Sequence, residues 1–499
     1  MADPNTQAQT AAAPAATEEI NEFEALLNKQ FKPKTETAKS AVHAAVKTLA
    51  EQALASTKLI GDDVIASIQA IIAELDRKLS EQVNKIIHHE DFKTLEGSWR
   101  GLHHLVNNTE TDEKLKIRVM NISKKDAAKT LKKFKGTAWD QSPLFKKIYE
   151  DEFGTPGGAP YGCLIGDYQF DHSPPDVEML GGIAQISSAA HCPFITAAAP
   201  TLMNMDTWQE LSNPRDLTKI FQTPDYAAWR SLRASEDSRY LGLTMPRVLA
   251  RIPYGSKTNP LEEFAFEEDT EGADHNKYCW MNSAWAMGVN ITRAFKLYGW
   301  CACIRGVESG GMVEGLPVHT FPTDDGGVDM KCPTEIAITD RREAEIAKNG
   351  MMPLSHWKNT DYAVFVGAQS LQKPQEYDDP DATANANLAA RLPYLFATCR
   401  FAHYLKCMVR DKIGSFKERS DMQSWLNDWI QQFCVSSETA SENDKARRPL
   451  AAAEVIVEEV EGNPGYYTSK FFLRPHYQLE GLTVSLRLVS KLPSGKGGK

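Results

Sequence analysis

From residue 64 to 86 the apolar positions Val64, Ile68, Ile71, Ile72, Leu75, Leu79, Val83 and Ile86 recur in steps of one, three and four. That is the period of a helix presenting one stripe, and the stripe is too long and too apolar to remain in water. Two destinations are open to it: its own domain, or the surface of a second protein. An Ala-rich stretch carrying Val42, Val46, Leu49 and Leu54 is a candidate hairpin partner, with Gly61, Asp62 and Asp63 making the turn. Upstream, Ile20, Phe23, Leu26 and Leu27 fall on one side of a shorter amphipathic helix.

Beyond Phe92 a further helical stripe runs through Leu95, Trp99, Leu102 and Val106. The period then drops to two, because Leu115, Ile117 and Val119 alternate with charged residues as in a strand. Strands are predicted at 161–165 and 194–198, separated by a helix over 176–190 that follows Pro174 and Pro175. Strand, helix, strand is the pattern of a parallel α/β layer. Residues 246–374 carry many Pro and Gly between short apolar runs, which predicts a loop-rich mixed region. A long helix is expected over 385–412, with Leu388, Leu392, Leu395 and Phe396 inward and Pro393 bending it or starting it afresh. A second helix over 421–435 places Trp425, Leu426, Trp429 and Phe433 together. Residues 436–448 read as a polar linker and candidate hinge. The last periodic segment, Leu482, Thr483, Val484, Ser485, Leu486, Arg487 and Leu488, alternates without a break. A strand so near a terminus is free to pair with the edge of another molecule.

Composition narrows the class. The chain has 499 residues, 42% hydrophobic and 24% charged, as expected of a folded protein of several domains. A net charge of -10 with no basic stripe argues against nucleic acid as a partner. Nine scattered cysteines fit a reducing compartment better than a disulfide framework. No run approaches the length of a membrane span, and the Ala- and Thr-rich start lacks the organisation of a secretion signal, so a cytoplasmic protein without membrane insertion is expected.

Candidate chemistry is thin. The glycine-rich stretch 305–315 lacks the Gly-Lys-Ser/Thr ending of a phosphate cradle and the spacing of a dinucleotide fingerprint, so a tight turn or close backbone approach is expected. Cys301 and Cys303 are spaced as neighbours on one strand face rather than as zinc ligands, and read as small buried cysteines. His191 and Cys192 are adjacent, and adjacent strand residues point to opposite faces. His88 and His89 end a helix, where imidazoles complement its negative end. No catalytic residue, metal ligand or cofactor site is expected; the competing reading is a soluble α/β enzyme without a recognisable motif.

Three ordered blocks then carry a resemblance. They are Leu95-Glu-Gly-Ser-Trp-Arg-Gly-Leu102; Ile165-Gly-Asp-Tyr168 with Ala189-Ala-His-Cys-Pro-Phe194, Leu243-Thr-Met-Pro-Arg247 and Arg251-Ile-Pro-Tyr-Gly255; and Gly465-Tyr-Tyr467 with Phe472-Leu-Arg-Pro-His-Tyr-Gln-Leu-Glu-Gly-Leu482. Together they resemble the large sheath subunit family of type VI secretion systems, over residues 20–493. The resemblance implies a multidomain mixed α/β fold like that of contractile phage tail sheaths. It implies a non-enzymatic role: polymerisation with a small sheath subunit and with copies of itself around an inner Hcp-type tube. Contraction would drive the tube and its effectors out of the cell. A baseplate and a ClpV-type AAA+ unfoldase are further implied partners. On this reading 1–18 is a disordered start, and 19–90 a helical segment touching the small subunit through Ile20, Phe23, Leu26 and Leu27. Residues 91–380 hold the central α/β domains, 381–435 are tube-facing helices, and 436–448 are the linker. Residues 449–499 complete sheets shared between subunits, with 482–488 as the donated strand.

Overall fold

A computed structural model of the chain describes residues 64–213, 216–262, 264–270, 272, 274–323, 325–412, 419–435, 440–459, 467–476 and 478, with five single positions between 37 and 48. It divides into two compact units, Met1–Lys93 with Ile252–Tyr278, and Thr94–Arg251 with Cys279–Lys499.

In the first unit, helix α1 (Val64–Ile87) carries the predicted stripe. Ile87 is buried, Leu75, Leu79 and Val83 are half-buried, and Ile72 and Ile86 remain half exposed. The Asn84 amide ties α1 to the Glu267 carbonyl and the Asp269 amide, each at 3.0 Å. His88 follows the helix with its ring 3.4 Å from the Glu268 carboxylate. The residues read as the hairpin partner of α1 lie outside the described residues, apart from those single positions.

The second unit is built on a sheet whose middle strands are buried on both faces. β1 (Leu164–Phe170), β2 (Phe194–Ala198), β3 (Leu241–Met245) and β9 (Met351–His356) run parallel, and β10 (Ala363–Phe365) and β6 (Met312–Val313) add antiparallel. The order is β1-β2-β3-β9-β10-β6. Smaller pairs join β4 (Val248–Leu249) to β5 (Trp280–Met281) and β7 (His319–Pro322) to β8 (Val328–Lys331). Phe194 and Ala198 of β2 face a core that includes Met179, Leu180, Trp208 and Trp229, whereas Ile195 faces a second core with Met287, Ile291, Leu392 and Phe396. Period-two alternation thus sorts one strand between two apolar layers, which is why β2 and β3 read as continuous apolar runs.

Helix α2 (Glu90–Asn107) precedes the sheet, α3 (Pro174–Ala190) connects β1 to β2, and α4 (Ser283–Tyr298) lines the second core. The predicted long helix is two: α5 (Pro380–Ala389) and α6 (Leu392–Asp411), with Pro393 in the first turn of α6. There its missing N–H is no loss, so the chain restarts rather than kinks. Helix α7 (Arg419–Gln431) and the hairpin of β11 (Leu450–Glu459) and β12 (Tyr467–Pro475) share a third core around Phe401, Leu426, Ile430, Val455 and Val457.

Several expectations shift. The strand predicted at 161–165 begins at Leu164 and continues through polar residues to Phe170, because pairing with β2 sets its length. His191 and Cys192 do not alternate along a strand: His191 caps α3 in the left-handed region at φ 50, and Cys192 is fully buried before β2. Cys301 and Cys303 lie in irregular chain and are half-buried, not on a strand face. In the segment read as a linker, residues Glu442–Arg447 form a further helix, α8, capped by the Ser441 side chain, with Ala446 buried. Residues 115–119 alternate as expected but form no strand.

Candidate assembly surfaces

Helix α2 has two unlike sides. Gly97, Gly101 and Leu105 are buried, while Leu95, Trp99 and Val106 are 56%, 64% and 45% exposed. The glycines explain the close side: a Cβ at Gly97 would collide with the Trp280 carbonyl oxygen of β5, and one at Gly101 with the indole of Trp285. Glu96, beside them, accepts from the Arg251 guanidinium at 2.7 Å and from Arg100 at 2.7 Å, with the Arg251 side chain only 6% exposed. Burial alone pushes the Glu96 carboxyl up, but hydrogen bonds and charge from the two arginines outweigh it and hold the pKa below the usual range. Two sequence blocks, 95–102 and 251–255, are therefore joined by one ion pair. What α2 leaves in water is a row of large apolar side chains at helical spacing, the form of a face awaiting a partner.

The C-terminal hairpin is a second surface, and its two edges differ. On the side of β11 away from β12, helix α7 supplies side-chain amides in place of a neighbouring strand. Asn427 donates to the Val455 carbonyl at 2.8 Å and accepts from the Val455 amide at 2.9 Å. Gln431 donates to the Ala453 carbonyl at 2.8 Å, and the Gln423 carbonyl oxygen accepts from the Val457 amide at 3.1 Å. Among the described residues β12 pairs only with β11. Asn427→Leu keeps the branched heavy-atom shape but strands both backbone groups of Val455; at about 1 kcal/mol per hydrogen bond, roughly 2 kcal/mol of stability should be lost. Denaturant unfolding followed by tryptophan fluorescence reads this, and an unchanged midpoint would show the edge to be adequately solvated.

The chain after β12 is pinned. His476 donates its amide to the Pro449 carbonyl at 3.1 Å, and the Gln478 amide donates to the Tyr394 hydroxyl at 2.9 Å. The Gln478 side chain accepts from Arg305 at 2.8 Å and donates to the Ala302 carbonyl at 3.1 Å. Arg305 opens the glycine-rich stretch, which is the expected tight turn. Gly306 and Gly310 have φ of 73 and 85, and the Gly306 amide donates to Phe365 of β10 at 2.8 Å.

Residues 69–372 match the model of the EvpB/VC_A0108 tail sheath N-terminal domain, and residues 381–492 that of the tail sheath gpW/gp25-like domain. The chain belongs to the EvpB/VC_A0108 tail sheath family. It is 74% identical over 481 residues to the type VI secretion system sheath protein TssC1 of Pseudomonas aeruginosa, covering 96% of this chain and 97% of that protein. Among solved structures it is similar to a chain of the anti-feeding prophage baseplate at 12% identity and a TM-score of 0.37, covering 76% of this chain and 84% of that one. It is also similar to a chain of the contracted sheath complex of an extracellular contractile injection system, PVC, at 9% identity and a TM-score of 0.33, covering 62% and 68%.

The boundary between the two sheath family domains falls between residues 372 and 381, just before α5 begins at Pro380. Ile20, Phe23, Leu26, Leu27 and the strand 482–488 lie outside the described residues. Among the described residues no group of His, Cys, Asp and Glu is arranged to hold a metal, and no helix is long and apolar enough to cross a membrane. Burial pushes the Cys301 and Cys303 thiols up to about 12 and about 11, away from nucleophilic thiolate. Cys332 goes the other way: burial pushes its thiol up, and hydrogen bonds with His356 and Thr334 more than offset this. The feature missed at the level of sequence is the row of α7 amides on β11, whose signal is polar Gln423, Asn427 and Gln431 at steps of four.

Proposed function

We propose that this chain is the large structural subunit of a contractile type VI secretion sheath, working in the bacterial cytoplasm without catalysing a reaction. The observation that carries the reading is identity with TssC1 at 74% across almost the whole of both chains. The subunit polymerises with a small sheath subunit and with copies of itself around an Hcp-type tube, on a baseplate. Contraction expels the tube, and a ClpV-type unfoldase dismantles the spent sheath. Energy resides in the packing difference between two lattices rather than in a bound nucleotide.

The parts divide accordingly. Residues 19–90, with Ile20, Phe23, Leu26 and Leu27, meet the small subunit; 91–380 form the sheath body; 381–435 face the tube; and 436–448, carrying α8 as a rigid piece, hinge between states. Residues 449–499 form the joint, in which 482–488 leave their own protomer and complete a neighbour's sheet. Seven extended residues reach roughly 23 Å. A handful of main-chain hydrogen bonds at about 1 kcal/mol each holds such a joint by several kcal/mol.

Co-expression with the small subunit, followed by negative-stain microscopy, tests the whole reading. Long hollow tubes or cogwheel-shaped rings are expected; isolated particles alone would refute it.

A further inference from the structure

Between α2 and the helix Lys124–Lys133 the chain passes through Lys114-Leu-Lys-Ile-Arg-Val-Met-Asn121. Leu115, Ile117 and Val119 form one row and Lys114, Lys116 and Arg118 the other, the pattern of a strand with one apolar face. Strand sequences settle by pairing, because each extended residue carries a donor and an acceptor. Here the pairing is missing. Among the described residues no backbone–backbone hydrogen bond reaches the amides or carbonyls of 116–121. Val119 and Met120 are 65% and 51% exposed. Leu115, Ile117 and Val119 line, with Val106 of α2 and the polar Thr111, Asp112 and Lys116, an open cavity of about 420 Å³.

The segment is nevertheless held in place. Asp112 accepts from the Leu115 amide at 2.8 Å and from Lys296 at 2.8 Å. Arg118 is paired with Glu152 and donates to the Tyr161 hydroxyl at 3.2 Å. At the far end the Ile122 carbonyl accepts from the Tyr168 hydroxyl at 2.8 Å. A segment tethered at several points along its length, with unpaired backbone and a partly apolar recess beside it, has already met much of the ordering cost of sheet formation.

We propose that residues 115–121 receive a β-strand from the small sheath subunit, an extended segment in which apolar residues alternate with Asp or Glu. This rests on the heteromeric sheath reading and adds the place and the chemistry of one contact. Charge selects the occupant. Lys114 and Lys116 are exposed and make no direct ion pair among the described residues, Glu152 attracting Lys116 only at longer range, so alternate acids on the incoming strand would lie opposite them. The chain's own alternating segment 482–488 is the wrong match, since its one charged residue is Arg487. Main-chain hydrogen bonds would supply affinity, and the recess at Val106 and Ile117 would fix the register.

Hydrogen exchange on the purified heterodimer decides the matter. Alternate amides within 116–121 should exchange about a hundredfold or more slowly than in an unstructured peptide. Exchange at the unstructured rate, in a heterodimer otherwise protected, overturns this inference and leaves the sheath reading intact; failure to form any heterodimer overturns both. Protection that arises in the isolated chain and depends on its concentration would mean self-pairing, and also overturns it. The double variant Lys114→Glu and Lys116→Glu, with circular dichroism unchanged, should bind the small subunit about tenfold or more weakly. Undiminished binding by that variant sinks the acidic identity of the strand.

Discussion

Removing residues 482–499 should abolish tubes while leaving heterodimers intact. The described contacts of the hairpin with α7, and of His476 and Gln478 with the body, all lie before the cut. The truncated chain therefore keeps its third core and loses the segment proposed to pair with a neighbour. On the proposed joint, several main-chain hydrogen bonds, multiplied along every helical row, would separate a continuous lattice from a solution of dimers. Sedimentation and electron microscopy of the co-expressed pair provide the readout. Tubes of normal length from the truncated chain would mean that the strand belongs inside its own protomer, and the account of the joint would fail.

Gly97→Val is the substitution with the largest expected effect on the fold. The obstacle to a side chain is the backbone carbonyl of Trp280, which can move only if β5 moves with it. Displacing α2 from β5 also pulls Glu96 away from Arg251, whose guanidinium is almost fully buried. Overpacking of this kind costs typically up to about 3 kcal/mol, and loosening a buried ion pair adds to it. The variant should yield little soluble heterodimer, and its thermal unfolding midpoint should fall by several degrees, as about 3 kcal/mol implies for a large domain. Gly101→Ala is the control. Its obstacle is the Trp285 ring, a side chain with rotamers to try, so the loss should be smaller. Equal losses at both positions would show that backbone proximity is not what the glycines provide.

The same positions show what a sequence discloses. The block 95–102 was legible as a family block and as one helical stripe, but which side of the stripe is buried was not. A hydrophobic pattern alone points Leu95, Trp99 and Val106 inward; the structure buries the glycines and leaves those residues in water, because close backbone approach needs small residues and large ones can serve another chain. β2 was found from end to end, since its five residues are buried on both faces and bounded by Pro193 and Pro200. β1 was misplaced because its C-terminal half is polar and is kept in the sheet by its neighbour. Pro393 predicts either a bend or a fresh start, and the structure shows the fresh start. The capped helix at Glu442–Arg447 was hidden by a charged composition that suits a linker equally well. The alternation at 115–119 was detected correctly as a period and wrongly as a strand, for period describes a side-chain pattern and a strand requires a second backbone.

The amides of Asn427, Gln423 and Gln431 have an architectural consequence. A hairpin open on both flanks could recruit strands indefinitely in either direction and would drift towards the fibrous stacking of amyloid. With one flank sealed by a helix of the same molecule, each hairpin can take guests on a single side. If neighbours exchange strands at the hairpin as proposed, stoichiometry is written into every protomer, and the order in which chains interlock acquires a sense, so that a growing cylinder has distinguishable ends.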